Sequence, residues 1–153
     1  MSPRFDALTP SDLPRMRELN EVFAQAFDDT ASYARAPPSD AYLRELLASP
    51  TFIALVAIVD DRVVGGLTAY VLPKPEQARR EIYLYDLAVL AEFRRRSIGR
   101  NLIRELCCIG RDRGAYLVFV QADEGDDIPI ALYSSMGKKE HPYHFDIEID
   151  RDR

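Results

Sequence analysis

Apolar residues in this chain recur with two different periods, and the switches between them mark out its elements. Arg4 to Leu8 reads as a first edge strand. Ser11 or Asp12 then supplies a helix cap, with Pro14 tolerated in the first turn. Met16, Leu19, Phe23 and Phe27 follow at spacings of three or four and mark a buried helical face. Asp28-Asp29-Thr30 ends that helix, and the stretch to Pro38, with Tyr33 and the Pro37-Pro38 pair, reads as a loop. Ser39-Asp40 caps a short second helix that runs to Ala48. Phe52 to Val59 is a continuous apolar run, hence a buried strand. Asp60-Asp61 turns it into a hairpin partner at Val63 to Leu72. Gly65-Gly66 inside that partner signals a bulge or a close backbone approach.

A third apolar run, from Ile82 to Val89, contains one carboxylate, Asp86. The spacing of Ile98, Leu102, Ile103, Leu106 and Cys107 predicts an amphipathic helix, stopped by Gly114. Ala115 to Gln121 reads as a buried strand. Asp126 or Asp127 caps a last helix that stops at Gly137, and Tyr143 to Ile149 alternates as a final half-exposed strand. The order β-α-α-β-β-β-α-β-α-β predicts one α+β domain over residues 1–153, with a mixed, mostly antiparallel sheet flanked by helices.

Composition changes this picture little. Hydrophobic residues make up 47% and charged residues 29%, as in an ordinary globular protein. No apolar run reaches the roughly 20 residues of a membrane span, so no membrane partner is expected. Met1-Ser2-Pro3-Arg4 carries no apolar leader, which makes the cytoplasm the expected location. Cys107 and Cys108 are adjacent and read as reduced thiols on a helix rather than a disulfide framework.

Charge changes it more. The net charge is −5, yet the stretch from Arg94 to Arg113 holds seven arginines against Glu105 and Asp112. A basic island in an acidic chain suits an anionic cofactor and a cationic substrate together. It is too narrow a face for nucleic acid, which is not expected as a partner. Arg94, Arg95 and Arg96, then Ser97-Ile98-Gly99-Arg100, join the third apolar strand to the helix after it. Free N–H groups of a first helical turn, the helix dipole and the arginines together make an anion site there. Asp123, Glu124, Asp126 and Asp127 form an acidic lip that would attract a polycation. His141, His144 and Asp146 lie on one terminal strand with the two histidines facing opposite sides. That is poor metal geometry, and no metal is expected.

Arg94-x-x-Ser97-x-Gly99 after an apolar strand resembles the acyl-CoA motif of the GNAT acetyltransferases, with Ser97 where the family has its first glycine. Longer runs are similar to the type I aminoglycoside 3-N-acetyltransferases: T-F-I-A-L from Thr51, A-Y-V-L-P-K from Ala69, E-Q-A-R from Glu76, Y-D-L-A-V from Tyr85, V-Q-A-D from Val120 and H-F-D-I from His144. The resemblance implies that acetyl-CoA is the co-substrate. Its pyrophosphate would lie on Arg94 to Arg100, and its pantetheine arm along the backbone of Leu87, Ala88 and Val89. Ser97 is expected to offer its N–H and to cap the helix, at modest cost. The resemblance further implies Asp86 as the general base for an amine that is protonated at pH 7. Tyr133 is a candidate proton donor to the departing thiolate, with core packing as its alternative. The acidic lip and Asp86 would bind a gentamicin-like aminoglycoside, attacked directly in a ternary complex. Two other readings stand beside this one: a polyamine or peptide acceptor, and a non-catalytic acyl-CoA sensor. A homodimer is implied only by analogy.

Overall fold

The computed structural model describes residues 2–150. Met1, the head of the leader reading, and residues 151–153, the end of the expected domain, lie outside the described residues. The chain divides into two compact units that meet between Gln121 and Ala122.

The first unit is an α+β layer structure around a five-stranded sheet in the order β1-β2-β3-β4-β5. The strands are β1 (Arg4–Ala7), β2 (Phe52–Val59), β3 (Arg62–Pro73), β4 (Arg80–Val89) and β5 (Ala115–Val120). The sheet is antiparallel through β4, and β5 joins β4 in parallel. Helices α1 (Leu13–Ala26), α2 (Thr30–Arg35) and α3 (Asp40–Ala48) precede β2, and α4 (Ile98–Asp112) is the crossover between β4 and β5. Every residue of β2 is buried, as its unbroken apolar run requires. Phe52, Ala54, Val56 and Ile58 share a core with Leu19, Val22 and Phe23 of α1 and Leu43 and Leu47 of α3. Gly66 lets α1 close on the sheet: a Cβ there would meet Leu19 Cδ1 and the Leu55 carbonyl at 2.5 Å each.

Five local expectations need correction. The stretch after α1 is not all loop. Asp29 accepts from the Ser32 N–H at 3.3 Å and starts the one-and-a-half-turn helix α2. Asp12 stands at the head of α1 but spends its carboxylate on the N–H and hydroxyl of Thr9, at 2.8 and 2.9 Å, so it does not cap. Phe27 lies just past the end of α1, where it stacks on Phe23 while staying largely exposed. Cys107 is exposed, one position off the buried stripe of Ile98, Leu102, Ile103 and Leu106. Finally, β5 is a half-exposed edge strand rather than a buried one, because among the described residues β4 alone pairs with it.

The second unit holds α5 (Asp127–Ser134), followed by residues 138–150 without helix or strand. The alternation from Tyr143 to Ile149 therefore forms no strand, and Tyr143, Phe145, Ile147 and Ile149 are 80–91% exposed. His144 Nε2 lies 2.9 Å from Asp146 Oδ1, which uses that pair locally.

Candidate active site

The site begins with an extra residue in β4. Thr68 pairs with Asp86 but Ala69 pairs with Leu84, so Tyr85 is a β-bulge. A bulge resets the two-residue alternation of a strand. Upstream, Ile82 and Leu84 face α4: a Cβ on Gly110 would come within 2.7 Å of Ile82 Cδ1. Downstream, Ala88 and Leu90 belong to the core under α1 and α3, although they too are even-numbered. Asp86 therefore turns to the α1 side. It lies across from Thr68, which in turn pairs with Ala54 of that core.

The same bulge opens the sheet. Pairing of β4 with β5 stops at Leu84 opposite Val120. Beyond it, Tyr85 to Val89 keep β3 on one edge and have no strand on the other among the described residues. The Leu90 N–H donates to the Val64 carbonyl at 2.8 Å. By the two-residue period, the backbone groups of Ala88 also serve β3, whereas those of Leu87 and Val89 point to the open edge. Of the three backbone positions expected to hold the cofactor arm, Leu87 and Val89 thus present their groups to the open edge and Ala88 presents its groups to β3. The Val89 carbonyl already accepts from Arg94 Nε at 3.1 Å, which ties the basic loop to this edge.

A single 3₁₀ turn, Ala91–Phe93, leads into that loop. Arg94, Arg95, Arg96 and Ser97 are exposed, and the Arg96 guanidinium lies 5.2 Å from the centre of the Phe93 ring. Arg95 and Ser97 both have left-handed backbones, with φ of 62° and 61°. Ile98 is buried, anchoring the head of α4. The N–H groups of the first helical turn, at Ile98 and Gly99, precede the helical ladder, in which Asn101 donates to the Ser97 carbonyl at 3.0 Å. A helix N-terminus with three exposed guanidinium groups before it, next to an open strand edge, fits a pyrophosphate followed by an amide-bearing arm.

Asp86 is half-buried, and no hydrogen bond or ion pair holds its carboxylate among the described residues. Burial pushes its carboxyl above the usual aspartate range. Tyr85 precedes it in the bulge, and the rings of Tyr70 and Tyr83 contact the Tyr85 ring on the same side of the sheet. Burial raises the phenols of Tyr33 on α2, Tyr70 on β3 and Tyr83 on β4, and the negative field of Asp86 adds to each shift.

Residues 15–137 match the model of the acetyltransferase (GNAT) family. The chain belongs to that family. A crystal structure of an aminoglycoside acetyltransferase from an uncultured soil metagenomic sample is 46% identical. It covers 98% of this chain and 100% of its own, with a TM-score of 0.96. A second such enzyme, from a soil metagenomic sample and in complex with sisomicin, is 31% identical over 97% of both chains, with a TM-score of 0.90. Human N-acetyltransferase 8 is 32% identical over 84 residues, which are 55% of this chain and 37% of that protein. A glucosamine 6-phosphate N-acetyltransferase of Trypanosoma brucei brucei is 26% identical over 58% of each. The chain thus spans less than two thirds of the length of these curated relatives.

The GNAT motif explains the one residue that departs from it. Ser97 occupies the motif's first glycine position, and its φ of 61° and ψ of 15° are what a glycine adopts freely. Serine holds this shape at about 1 kcal/mol. Its side chain makes no capping hydrogen bond, contrary to expectation, because a left-handed N-cap does not present the hydroxyl to the first turn.

The other residues singled out in the sequence lie in the second unit. Asp123 and Glu124 sit in an exposed turn that Gly125 closes with a φ of 88°, and Asp126 and Asp127 open α5. Asp126 holds the cap position without a capping bond. Tyr133 is half-buried on α5, where its carbonyl accepts from the Gly137 N–H at 2.9 Å. Among the described residues, no group of three His, Cys, Asp or Glu could hold a metal ion, and no helix is long and apolar enough to cross a membrane. Sequence reasoning missed the tyrosines beside Asp86. The signal was there in Y-L-Y-D, but strand alternation alone puts Asp86 on the opposite face from Tyr83 and Tyr85.

Proposed function

We propose that this chain transfers the acetyl group of acetyl-CoA to the 3-amino group of a gentamicin-like aminoglycoside, an activity that would confer resistance. The observation that carries this reading is the unpaired, half-buried carboxylate of Asp86 beside an open strand edge. A buried charge without a partner is costly, and a cationic substrate removes that cost. The likeness to two aminoglycoside acetyltransferases at 46% and 31% identity supports the choice of acceptor.

In this account acetyl-CoA supplies the activated acyl carbon, held by backbone groups of Leu87 and Val89 and by the loop from Arg94 to Arg100. Asp86 receives the acceptor as an ammonium ion and takes its proton, directly or through one water. The freed amine, about 3–3.5 Å from the acyl carbon, attacks in one ternary complex. As the C–S bond breaks, Tyr133 gives a proton to the departing sulfur, and the second proton that the nitrogen loses on forming the amide restores it through solvent. Asp123, Glu124, Asp126 and Asp127 draw in the polycation, so neutralising them raises its KM, more so at low salt. Residues 1–153 act as one domain in the cytoplasm. The exposed Tyr143, Phe145, Ile147 and Ile149 favour a homodimer, which light scattering tests.

Thiol release with gentamicin, spermidine and a short peptide as competing acceptors tests the reading. Preferred turnover of gentamicin supports it. Equal or better turnover of spermidine or peptide replaces it with the polyamine or peptide reading. Binding of acetyl-CoA with no turnover of any amine leaves an acyl-CoA sensor.

A further inference from the structure

Asp86 is not the only unusual feature of the α1 side of the sheet. Phe52, Tyr70 and Tyr83 are successive cross-strand partners on that side, and Phe119 of β5 pairs with Tyr83. Their rings make one chain of contacts. Phe52 and Tyr70 centroids are 5.5 Å apart, Tyr70 and Tyr85 5.8 Å, Tyr83 and Tyr85 5.4 Å, and Tyr83 and Phe119 4.7 Å. The Tyr85 bulge joins this stripe to Asp86. It leaves the carboxylate on the same face as the rings instead of the opposite one.

Core packing does not account for the stripe. Tyr85 is 58% exposed and Tyr70 37%. Among the described residues, the Tyr83 hydroxyl is the one in the stripe with a hydrogen-bond partner, donating to Gln121 Oε1 at 3.0 Å. Exposed aromatic faces beside an unpaired carboxylate match one class of ligand, an organic ammonium ion. The carboxylate takes the charge, and the ring faces bind its flanks through their quadrupoles.

We propose that Tyr70, Tyr83 and Tyr85 form an aromatic wall that seats the acceptor's ammonium group against Asp86. This rests on the reading of Asp86 as the acceptor's anchor, and it adds what selects the acceptor there. The rings favour the charged amine with its carbon substituents, while Asp86 provides for its deprotonation. Tyr85 is the residue to change, because its exposure means that replacement empties no core.

The probe is tetramethylammonium, a cation that has no N–H and cannot be acetylated. It should inhibit competitively with the amine acceptor and leave the acetyl-CoA KM unmoved. Tyr85→Leu keeps an apolar side chain without a π face and should weaken that inhibition by roughly three- to tenfold, in line with a cation–π contact. Tyr85→Phe keeps the face and should retain it, with thermal unfolding confirming that both variants are folded. Equal inhibition of the Leu and Phe variants, or no competition at all, overturns the wall. The probe reads the wall whichever amine is the natural acceptor. Failure of gentamicin as substrate with Tyr85→Leu still weakening the probe would sink the aminoglycoside reading and leave the wall standing.

Discussion

The two halves of β4 come from one apolar run, yet they end in opposite conditions. From Arg80 to Leu84 the strand is paired on both edges, and Ile82 and Leu84 are 0% and 1% exposed. From Asp86 to Val89 it is paired on β3 alone, carries a carboxylate without a partner, and is tied to a basic loop by one Arg94 contact. One inserted residue, Tyr85, separates the halves. A satisfied strand is structure, and the cheapest way to make it a site is to stop satisfying it at a chosen point. The bulge does this twice. It ends the pairing with β5 and moves the next side chain to the other face of the sheet.

The sharpest way to break this comparison is to remove the charge from the unsatisfied half. Asp86→Asn should lower kcat by about 10²–10⁴-fold, the usual loss of a general base, with acetyl-CoA affinity intact. The same change should raise thermal stability at pH 7. Burial lifts the folded-state pKa of Asp86, so ionisation opposes folding. The wild type is favoured below the unfolded-state pKa and loses that advantage as pH rises through the folded one. The gain of the Asn variant should therefore be present at pH 7 and vanish in acid, as paired denaturation curves would show. Loss of rate together with loss of stability would mark Asp86 as structural.

Gly66→Ala attacks the closed edge instead. Its Cβ would collide with a backbone carbonyl, so we expect a loss of about 1–3 kcal/mol by chemical denaturation. Arg94→Ala with Arg96→Ala, on the open half, should leave stability nearly unchanged and raise the acetyl-CoA KM tenfold or more, about 1.4 kcal/mol. The smallest effect is a gain. Ser97→Gly should add about 1 kcal/mol of stability by relieving the left-handed backbone, with turnover as a check that the loop still works.

These differences also decide what could be read from the residues alone. The buried strands, α1, α3, α4 and the basic loop were legible because burial and helix-start chemistry are local signals. Periodicity states which side of a segment turns inward and not what covers it. Hence β5 was expected to be buried, and Tyr143 to Ile149 was expected to be a strand. The bulge left no mark in composition: Tyr85 and Asp86 look like neighbours on opposite faces until the register with Thr68 and Ala69 is known. For the same reason Asp86 was found as a candidate while the tyrosines beside it were not, and Ala88 was grouped with Leu87 and Val89 though it faces β3. The Asp29 cap of α2 went unread because six residues carry too little periodicity to outweigh two prolines.

The central claim is that Asp86 stays unpaired in order to take a proton from the acceptor. The most direct test is the pH dependence of kcat/KM for the acceptor, which reports the free carboxylate, measured at saturating acetyl-CoA for the wild type and for Asp86→Asn. Tyr33, Tyr70 and Tyr83 are all pushed above the usual phenol range, so they stay protonated across the acid limb. The account predicts a wild-type rate that falls as pH drops, with its inflection above the ordinary aspartate range. In the Asn variant that inflection should disappear and leave a low residual rate. An acid limb of the same position and depth in both proteins would contradict it.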